Sequence, residues 1–529
     1  MLNLAILIAS LIVISLGLYL NKRDGERRHA KATDTILAVL GALALLSYLN
    51  FKPLSTQPNN WDLFHYYVGA KYFPEIGYTR LYACVARAEA ESDDEAVSHA
   101  AKRRTIRDLE TNELVASRNY FFSENYCKER FSAARWESFK NDIGFFRDRL
   151  QDLWELAQID HGFNPSPVWI LAGGLVSGTV ALSDTAITGM VLLDVILLLG
   201  SVALIVWAFG LPVAAFAAIA STASGGIDWS WAGGGVLRLD WFFMAVLSVC
   251  AMKREHYVLA GAALGYAAAL RVFPAIFALG PFIGLLYALV KRQRGQMLAY
   301  GKFFAGMAIS GAVLLVAVSA LYGTDSLQAF ADNTRKHSAV VSTNNVGLRT
   351  VLTYRPDTAV RNTIDINARE AHLYWKWEEA KAEAKKKVVP AYIAVVAVCL
   401  PLFVLAVIAG GTWQAVALGA TFIPFAWSEM SNYYYLFLMV VAALFAADRR
   451  VAFPLLGIGI ATGIGKLFEI DINRYFEQPA LQGAISGIGL DEIYTLFSAA
   501  VCVGFPAIWW LLGSRAIFGK KPADYMKPD

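Results

Sequence analysis

Apolar runs long enough to cross a lipid bilayer recur along this chain. Of its 529 residues, 57% are hydrophobic and only 17% are charged, so most of the chain is unsuited to a water-facing surface. A helix needs about 20 predominantly apolar residues to cross the hydrocarbon core of a bilayer. Runs near that length lie at 2–20, 33–50, 166–183, 187–209, 272–290, 301–322, 389–410, 433–447, 451–468 and 492–514, and shorter or glycine-broken runs lie at 211–224, 235–252, 257–271 and 412–427. We therefore predict an all-α polytopic membrane protein with about twelve to fourteen transmembrane helices.

The distribution of lysine and arginine in the short loops predicts the orientation of these helices, because basic residues concentrate on the cytoplasmic side. They cluster here at 21–31, 253–256, 291–294, 448–450 and after Ser514. With these loops in the cytoplasm, the chain starts outside, and 51–165, 323–388 and the short turn 427–435 lie on the extracytoplasmic face. Residues 211–239 do not fit an even alternation, so we interpret them as a broken or re-entrant pair of helices.

This orientation divides the chain into five segments. They are two N-terminal helices in 1–50, a first outer segment in 51–165, a helical bundle in 166–322, a second outer segment in 323–388, and a C-terminal bundle with a cytoplasmic tail in 389–529. We expect an integral, multi-pass protein of a bacterial inner membrane whose large loops are extracytoplasmic. The net charge of +4 is explained by the basic cytoplasmic loops, and we expect no nucleic-acid partner.

The first outer segment carries 15 basic and 18 acidic residues, which indicates a folded extramembrane subdomain. In 130–158 apolar residues, Leu153 among them, recur mostly at steps of three and four, which predicts an amphipathic helix with one apolar face. The stretch RTIRDLETNELVAS at 104–117 is typical of a short hairpin. The large outer loop is therefore expected to contain amphipathic helices and a small sheet.

The five cysteines separate into two groups. Cys84 and Cys127 lie in the first outer segment, where an oxidising compartment lets them pair, and we predict a disulfide between them. Cys250, Cys399 and Cys502 lie in apolar runs and are interpreted as small buried hydrophobic residues. No spacing of cysteine and histidine resembles a zinc site, so we expect neither a metal nor a cofactor.

An aspartate follows the second apolar run, in the stretch NNWDLFHYYVGAKYF at 59–73. If a helix begins at Asp62, His65 and Tyr66 lie three and four residues later and share its face. One side of that helix then presents a carboxylate, an imidazole and a phenol. The alternative is that Asp62 only caps a helix and that the surrounding aromatic residues form an interfacial belt.

Basic side chains are predicted on the same side of the membrane. Arg271 lies between the cytoplasmic clusters at 253–256 and 291–294, at the apex of an apolar hairpin, and a guanidinium there requires an anion. In the second outer segment further basic residues gather at Arg335, Lys336, His337 and Arg349. Together they predict a site for the phosphate of a lipid-linked molecule. The alternative for the second group is a solvated basic face that binds lipid headgroups.

Two further acidic residues, Asp160 and Asp194, have a structural or a functional interpretation. Asp160 and His161 precede the run at 166–183 and arrive at the same outer interface as Asp62. They either help to hold an acceptor or form a polar turn before the helix. Asp194 lies inside an apolar run and needs a partner there, so we interpret it as a hydrogen-bonding site between helices.

This combination of groups suits one chemistry. Sugar transfer from a polyprenyl phosphate requires a carboxylate that takes the proton of an acceptor hydroxyl, and cations that stabilise the phosphate leaving group. Both must lie at the membrane surface, because the lipid tail of the donor stays in the bilayer. Under this hypothesis Asp62 is the candidate base.

The order of these features resembles the GT-C superfamily of polytopic glycosyltransferases, and most closely the polyprenol-phosphate-mannose-dependent α-mannosyltransferases of glycosyltransferase family 87. The stretches that carry the resemblance are WDLFHYYVGAKYF, FNPSPVW at 163–169, the glycine-led span from GGGVLRLDW to LRVFPAIFAL, NNVGLR at 344–349 and WSEMSNYYYLFL at 427–438. These short motifs cover 61–440 in order. The chain departs from the family in the long segment 74–160, and in SNYY at 431–434, where the family has Trp and His.

The resemblance implies a GT-C-like fold, Asp62 as the catalytic base, and inverting transfer of a mannose-like hexose from a polyprenyl-phosphate donor to a lipid or glycan acceptor of the cell envelope. Under the same hypothesis the donor phosphate is assigned to Arg271, Arg335, Lys336, His337 and Arg349, and the acceptor or donor pocket to His65, Tyr66, Asp160, His161, Asn345, Asn432 and Tyr433. Two other classes stay open. One is a transporter or flippase of a lipid-linked anionic substrate, and the other is a non-catalytic assembly or sensor protein.

Overall fold

A computed structural model of the chain describes residues 1–24, 29–52, 58–121, 126–365, 368, 373–470 and 487–518. Most of these residues are helical. The predicted cytoplasmic tail beyond 518 and part of the basic loop at 21–31 lie outside the described residues.

Seven helices in the described ranges are long and apolar enough to cross a membrane. They are Leu2–Asp24, Ala30–Tyr48, Asp184–Phe209, Phe273–Val290, Arg294–Tyr322, Val389–Ala409 and Leu490–Arg515. Shorter apolar helices span Pro167–Thr179, Leu211–Thr222, Tyr257–Leu270 and Asn432–Ala446. The all-α polytopic membrane class is confirmed, and several of the predicted spans are helices shorter than a straight crossing needs.

The remaining helical segments are mostly short. Within the bundle they are Trp229–Ala232, Asp240–Lys253, Thr412–Thr421, Ile423–Ala426, Ala452–Lys466 and a 3₁₀ turn at Arg449–Val451. In the outer segments they are Asn60–Leu63, a π-helical turn at Phe64–Val68, Gly69–Lys71, Phe73–Ile76, Leu81–Ala90, Glu95–Arg103, Ser117–Tyr120, Lys128–Arg130, Ala133–Leu150, Gln151–Leu153, Trp154–Ala157, Asp325–Ala339, Leu348–Thr353, Pro356–Thr358, Val360–Thr363 and Trp375–Lys387.

Close packing within the bundle depends on glycine at some helix crossings. Where Tyr257–Leu270 meets Arg294–Tyr322, a β-carbon at Gly261 would lie 1.8 Å from the carbonyl oxygen of Phe303. No side chain fits at that distance, so glycine is required there. Small residues bring helix backbones together in membranes, where van der Waals contact replaces the hydrophobic effect between helices.

The interruption predicted at 211–239 is present. The helix Leu211–Thr222 ends in non-helical chain, and a second break at 233–239 precedes the helix Asp240–Lys253. Gly234 and Leu237 have φ values of 82° and 48°, so the backbone turns sharply there. Nearly all of this break is buried, as expected of irregular backbone within a membrane protein.

The predicted hairpin and amphipathic helix both occur in the first outer segment. The strands Thr105–Arg107 and Leu114–Ala116 pair in antiparallel fashion. The helix Ala133–Leu150 buries the apolar residues Trp136, Phe139, Ile143, Phe146 and Leu150. The helix is shorter than expected, because Gln151 has a φ of 47° and turns the chain. As a result Leu153 is 50% exposed and does not belong to the buried face, contrary to the prediction.

The predicted disulfide is confirmed. The sulfur atoms of Cys84 and Cys127 are bonded, and their Cα atoms lie 5.2 Å apart, within the usual range for such a bond. Cys250 is buried as expected, whereas Cys399 and Cys502 are only partly buried. The disulfide joins the helix that contains Cys84 to the chain that leads into the amphipathic helix.

A short pair of strands brings two distant outer motifs together. Asn345–Val346 pairs in antiparallel fashion with Met430–Ser431, so that Asn345 lies opposite Ser431. A backbone hydrogen bond of 3.0 Å from Asn432 to the Asn344 carbonyl extends this contact. The second outer segment is thereby anchored to the turn at 427–435.

The predicted orientation leads to a labelling experiment in a protein whose free cysteines are replaced by alanine. A cysteine placed at Lys291 is expected to react with a membrane-impermeant maleimide only from the cytoplasmic side, because it lies in a basic loop. A cysteine placed at Glu110 is expected to react only from outside. Both positions are exposed. Labelling of spheroplasts and inverted vesicles is the measurement, and the opposite pattern would invert the topology.

Candidate active site

A cavity of about 1040 Å³ lies where the outer segments meet the helical bundle. Its walls come from both outer segments, the hairpin apex at 270–273 and the chain at 426–434. Ten of the predicted site residues line it: Asp62, His65, Tyr66, Asp160, His161, Arg271, His337, Asn345, Arg349 and Tyr433. Residues far apart in the sequence therefore share one space.

Asp62 lies in the short helix Asn60–Leu63 at the edge of this cavity. Asn59 caps that helix, since its Oδ1 accepts a hydrogen bond from the Asp62 N–H at 3.1 Å, so Asp62 is not the cap. Oδ2 of Asp62 lies 2.8 Å from Nη1 of Arg238 and accepts a hydrogen bond of 3.0 Å from Nδ2 of Asn59. No described residue donates a hydrogen bond to Oδ1. The protein therefore holds one carboxylate oxygen and leaves the other available to a ligand.

Burial raises the pKa of Asp62, and the positive charge of Arg238 and the proximity of His65 oppose that rise. A raised pKa makes a carboxylate a stronger base, provided that it is ionised at the working pH. The ion pair with Arg238 favours the ionised form. Burial and the charge of Arg238 therefore have opposite effects on the pKa of Asp62.

Arg238, the cation that pairs with Asp62, was missed by the sequence analysis. Only 6% of its side chain is exposed. Its backbone N–H donates to Oδ1 of Asp194 at 2.8 Å, and the carboxylate of Asp194 also accepts from the N–H groups of Gly235 and Leu239. Asp194 therefore fixes the irregular backbone that carries Arg238, in agreement with its predicted role between helices. Arg238 could have been recognised from the sequence, because it is an arginine within the apolar run 235–252 and outside every basic cytoplasmic cluster.

Tyr66 links two buried arginines of the cavity. Its hydroxyl accepts a hydrogen bond of 3.1 Å from Nη2 of Arg271. The guanidinium carbons of Arg238 and Arg271 lie 5.0 and 5.5 Å from the centre of its ring, which is cation–π distance. Among the described residues no carboxylate forms an ion pair with Arg271, and its Nε has no hydrogen-bond partner. A buried guanidinium in this condition is suited to an anionic ligand.

His65 is engaged by the protein on both ring nitrogens. Its Nδ1 lies 2.7 Å from the Trp61 carbonyl, and its Nε2 lies 2.7 Å from the hydroxyl of Tyr82. Nε2 also lies 3.2 Å from the carbonyl oxygen of Ala157, so each ring nitrogen is within hydrogen-bonding distance of a backbone carbonyl. His65 therefore borders the cavity and also joins the Asp62 helix to the helix that contains Tyr82, in the same outer segment.

Asp160 and His161 reach the cavity as predicted. Oδ2 of Asp160 accepts a hydrogen bond of 2.8 Å from Nε1 of Trp61, and Oδ1 accepts one of 2.7 Å from the His161 N–H. Burial acts to raise the pKa of Asp160, but His65, His161 and these hydrogen bonds outweigh it and leave the pKa below its ordinary value. Nδ1 of His161 lies 2.9 Å from Oδ1 of Asn112, and burial lowers the pKa of His161.

His337 and Arg349 are the predicted basic residues of the second outer segment that line the cavity. Burial lowers the pKa of His337 to about 4, so its imidazole is neutral at neutral pH and is not the cation that we expected. Its Nε2 and the Nε of Arg349 have no hydrogen-bond partner in the described structure. The guanidinium of Arg349 lies 4.8 Å from the ring centre of Tyr392.

Arg335 and Lys336 do not line the cavity, contrary to their predicted role at a phosphate. Arg335 is exposed and pairs with Asp332 at 2.8 Å. Nζ of Lys336 donates to the carbonyl of Leu109. Both share a helix with His337, and successive helical residues point about 100° apart, so one of the three faces the cavity.

Asn432 is also turned away from the cavity, contrary to its predicted place in the pocket. Its side chain is fully buried and forms hydrogen bonds with the side chain of Asn344 at 3.0 Å, the carbonyl of Gly226 at 2.8 Å and the hydroxyl of Tyr494 at 3.0 Å. Asn432 therefore connects the second outer segment to the bundle.

The neighbouring residues of these motifs keep their predicted location. Asn345 lines the cavity, and the ring centre of Tyr433 lies 5.2 Å from the guanidinium carbon of Arg238. Glu429, which the sequence analysis did not single out, also lines the cavity and pairs with Lys385 at 2.9 Å. Its charge is therefore already partnered.

The cavity has two chemically different walls. We name the first the arginine wall, formed by Arg238 and Arg271 around Tyr66, and the second the polar wall, formed by Trp61, Asp160, His161 and His337. Asp62 adjoins both, since it pairs with Arg238 and follows Trp61 in the chain. Such a cavity can bind an anionic group on one wall and a group rich in hydrogen bonds on the other.

The chain matches no protein-family model, and neither a curated protein nor a solved structure is significantly similar to it. The class that the fold defines is that of a helical, multi-pass membrane protein with seven candidate membrane spans in its described residues.

Asp194→Ala is expected to destabilise the framework of the site. It leaves the backbone N–H groups of Gly235, Arg238 and Leu239 without their acceptor, and each buried unsatisfied group costs about 1–3 kcal/mol. Ser201→Ala is the control, since Ser201 is buried in the same helix and its hydroxyl bonds only that helix. The measurement is thermal unfolding in one detergent, and equal midpoints for the two variants would contradict the role of Asp194.

Proposed function

We propose that the protein is a GT-C-like glycosyltransferase that moves a mannose-like hexose from a polyprenyl-phosphate donor to a lipid or glycan acceptor on the extracytoplasmic face of the membrane. One observation carries this proposal. One cavity contains both a carboxylate whose Oδ1 accepts no hydrogen bond from a described residue and arginines that form no ion pair with a described carboxylate. Asp62 is that carboxylate, and Arg271 and Arg349 are those arginines.

In the proposed reaction Asp62 acts as the general base. Its Oδ1 takes the proton of the acceptor hydroxyl while the acceptor oxygen attacks the anomeric carbon of the donor sugar. The bond between that carbon and the phosphate oxygen breaks, and the polyprenyl phosphate leaves with the electron pair. Attack opposite to the leaving phosphate inverts the anomeric configuration. Oδ2 stays bound to Arg238 and Asn59, which fixes the direction of the carboxylate.

The arginine wall stabilises the leaving group in this scheme. Negative charge develops on the phosphate oxygen as the glycosidic bond breaks, and positive groups fixed in advance stabilise that charge without reorganisation. Arg271 is buried and already oriented by Tyr66, which favours such preorganisation. His337 is neutral and contributes as a hydrogen-bonding group, not as a charge.

The position of the cavity suits a substrate that is part lipid. Arg271 lies at the apex between the helices Tyr257–Leu270 and Phe273–Val290, and the outer segments supply much of the cavity wall. A phosphate bound at this apex lies at the predicted outer interface. The polyprenyl chain can then stay in the bilayer while the sugar enters the cavity.

A transporter or flippase of a lipid-linked anion is the second candidate. Arg271 and Arg349 favour it as well, because they form no ion pair with a described carboxylate and suit any bound phosphate. A transport function, however, gives no role to Oδ1 of Asp62. Transfer of labelled sugar to a second molecule distinguishes the two functions, because a transporter leaves the sugar on its lipid.

Asp62→Asn is expected to slow sugar transfer by roughly 10²–10⁴-fold, because the amide keeps the shape of the side chain but cannot take the acceptor proton. Binding of the donor is expected to survive. The measurement is transfer of labelled mannose from polyprenyl-phosphate mannose in proteoliposomes, with donor binding assayed separately. Full transfer by the variant would remove Asp62 as the base, and no transfer by the wild type from any lipid-phosphate sugar would favour the transporter.

Arg271→Gln is expected to weaken donor binding by about 10-fold or more, since a hydrogen bond to a charged group contributes roughly 1.5–3 kcal/mol. Transfer at saturating donor is also expected to fall, because the leaving group loses a cation. Arg335→Gln is the matched control, as it removes the same charge from a residue that does not line the cavity. Equal donor affinities for the two variants would contradict the arginine wall.

A further inference from the structure

The polar wall has unused capacity to accept hydrogen bonds. Each oxygen of Asp160 accepts one hydrogen bond from the protein, from Trp61 or from the His161 N–H. A carboxylate offers about four lone-pair sites, so about two stay available to a ligand. The rings of His161 and His337, which both line the cavity, lie 6.0 Å apart. Unused acceptors on a cavity wall favour a ligand that brings several O–H donors.

The charge of the polar wall disfavours an anionic ligand. The pKa of Asp160 lies below its ordinary value, so the carboxylate is ionised at neutral pH, whereas burial lowers the pKa of His161 and lowers that of His337 to about 4. Arg107 and Lys336 lie near this wall but do not line the cavity, and both donate to backbone carbonyls. Because no arginine or lysine of this wall lines the cavity, a negative group placed here faces the charge of Asp160, which costs binding free energy.

The polar wall is also joined to the proposed base. Nε1 of Trp61 donates to Asp160, and Trp61 immediately precedes Asp62 in the helix Asn60–Leu63. On the arginine wall Asp62 pairs with Arg238. A molecule on each wall would therefore meet the other at Asp62, which is where an acceptor hydroxyl and a phosphate-linked sugar have to meet.

We propose that the polar wall is the acceptor subsite and that the acceptor is an uncharged, hydroxylated carbohydrate, either a glycan or the sugar headgroup of a glycolipid, and not an anionic lipid. The proposal rests on the glycosyltransferase function argued above and narrows its acceptor. Asp160 is its specificity-determining residue, since it both accepts hydroxyl groups and repels anions.

The test uses the full-length protein in nanodiscs with saturating polyprenyl-phosphate mannose, so that donor occupies the arginine wall. The acceptors are the octyl glycosides of glucose, galactose and mannose below micelle formation, and octyl glucuronide, which differs from octyl glucoside by a carboxylate. We expect the wild type to prefer a neutral glycoside over the glucuronide by about 10-fold or more in kcat/KM. Asp160→Asn is expected to raise KM for the neutral acceptor about 10-fold, leave donor KM unchanged and narrow that preference.

Asp152→Asn is the control, since Asp152 is exposed in the same segment and does not line the cavity. Equal use of the glucuronide by the wild type, or an unchanged acceptor KM in Asp160→Asn, would overturn the proposal. If the wild type transfers sugar to no acceptor, the glycosyltransferase function fails. The carbohydrate site is then tested separately, by measuring direct binding of the octyl glycosides. Binding about 10-fold weaker in Asp160→Asn than in Asp152→Asn then supports a neutral carbohydrate site, and equal binding overturns it.

Discussion

The ion pair between Arg238 and Asp62 is the interaction on which the rest of the site depends. Removing two charges from water costs several kcal/mol per ion, and their attraction offsets this only when geometry and further hydrogen bonds are good. Here Asp194 fixes the backbone of Arg238, and Asn59 both caps the Asp62 helix and bonds the carboxylate. A network of this kind is stable while complete and costly when one member is lost.

The outer segments are held in place by contacts within and between them. His65 joins the Asp62 helix to Tyr82, and Lys336 joins the second outer segment to the hairpin at Leu109. The disulfide between Cys84 and Cys127 restrains the first outer segment itself. Because the cavity wall belongs to several segments, its shape depends on how these segments dock and not on one helix alone.

Much of this arrangement could be predicted from the sequence, where the signal was local. The length of the apolar runs predicted the membrane class, and the residue spacing predicted the hairpin and the amphipathic helix. The outer position of Arg271 was predicted because two basic loops on the same side of the membrane flank its apolar hairpin. Arg335 and Lys336 were misplaced because charge clustering does not say which face of a helix meets a cavity. Arg238 was missed because its partner, Asp62, lies 176 positions away in the chain. Asn432 belongs to a contact between two outer motifs that only the folded chain brings together.

The two walls also explain how one carboxylate can be ionised and still act as a base. Burial alone would raise the pKa of Asp62 and favour its protonated form, while the charge of Arg238 opposes that shift. Under the proposed function, a donor phosphate at Arg271 adds a negative charge to the cavity, which raises the pKa of Asp62 further. The base then becomes stronger when the donor is bound, which is when an acceptor proton has to be removed. Asp160 lies on the polar wall, and its charge also raises the pKa of Asp62.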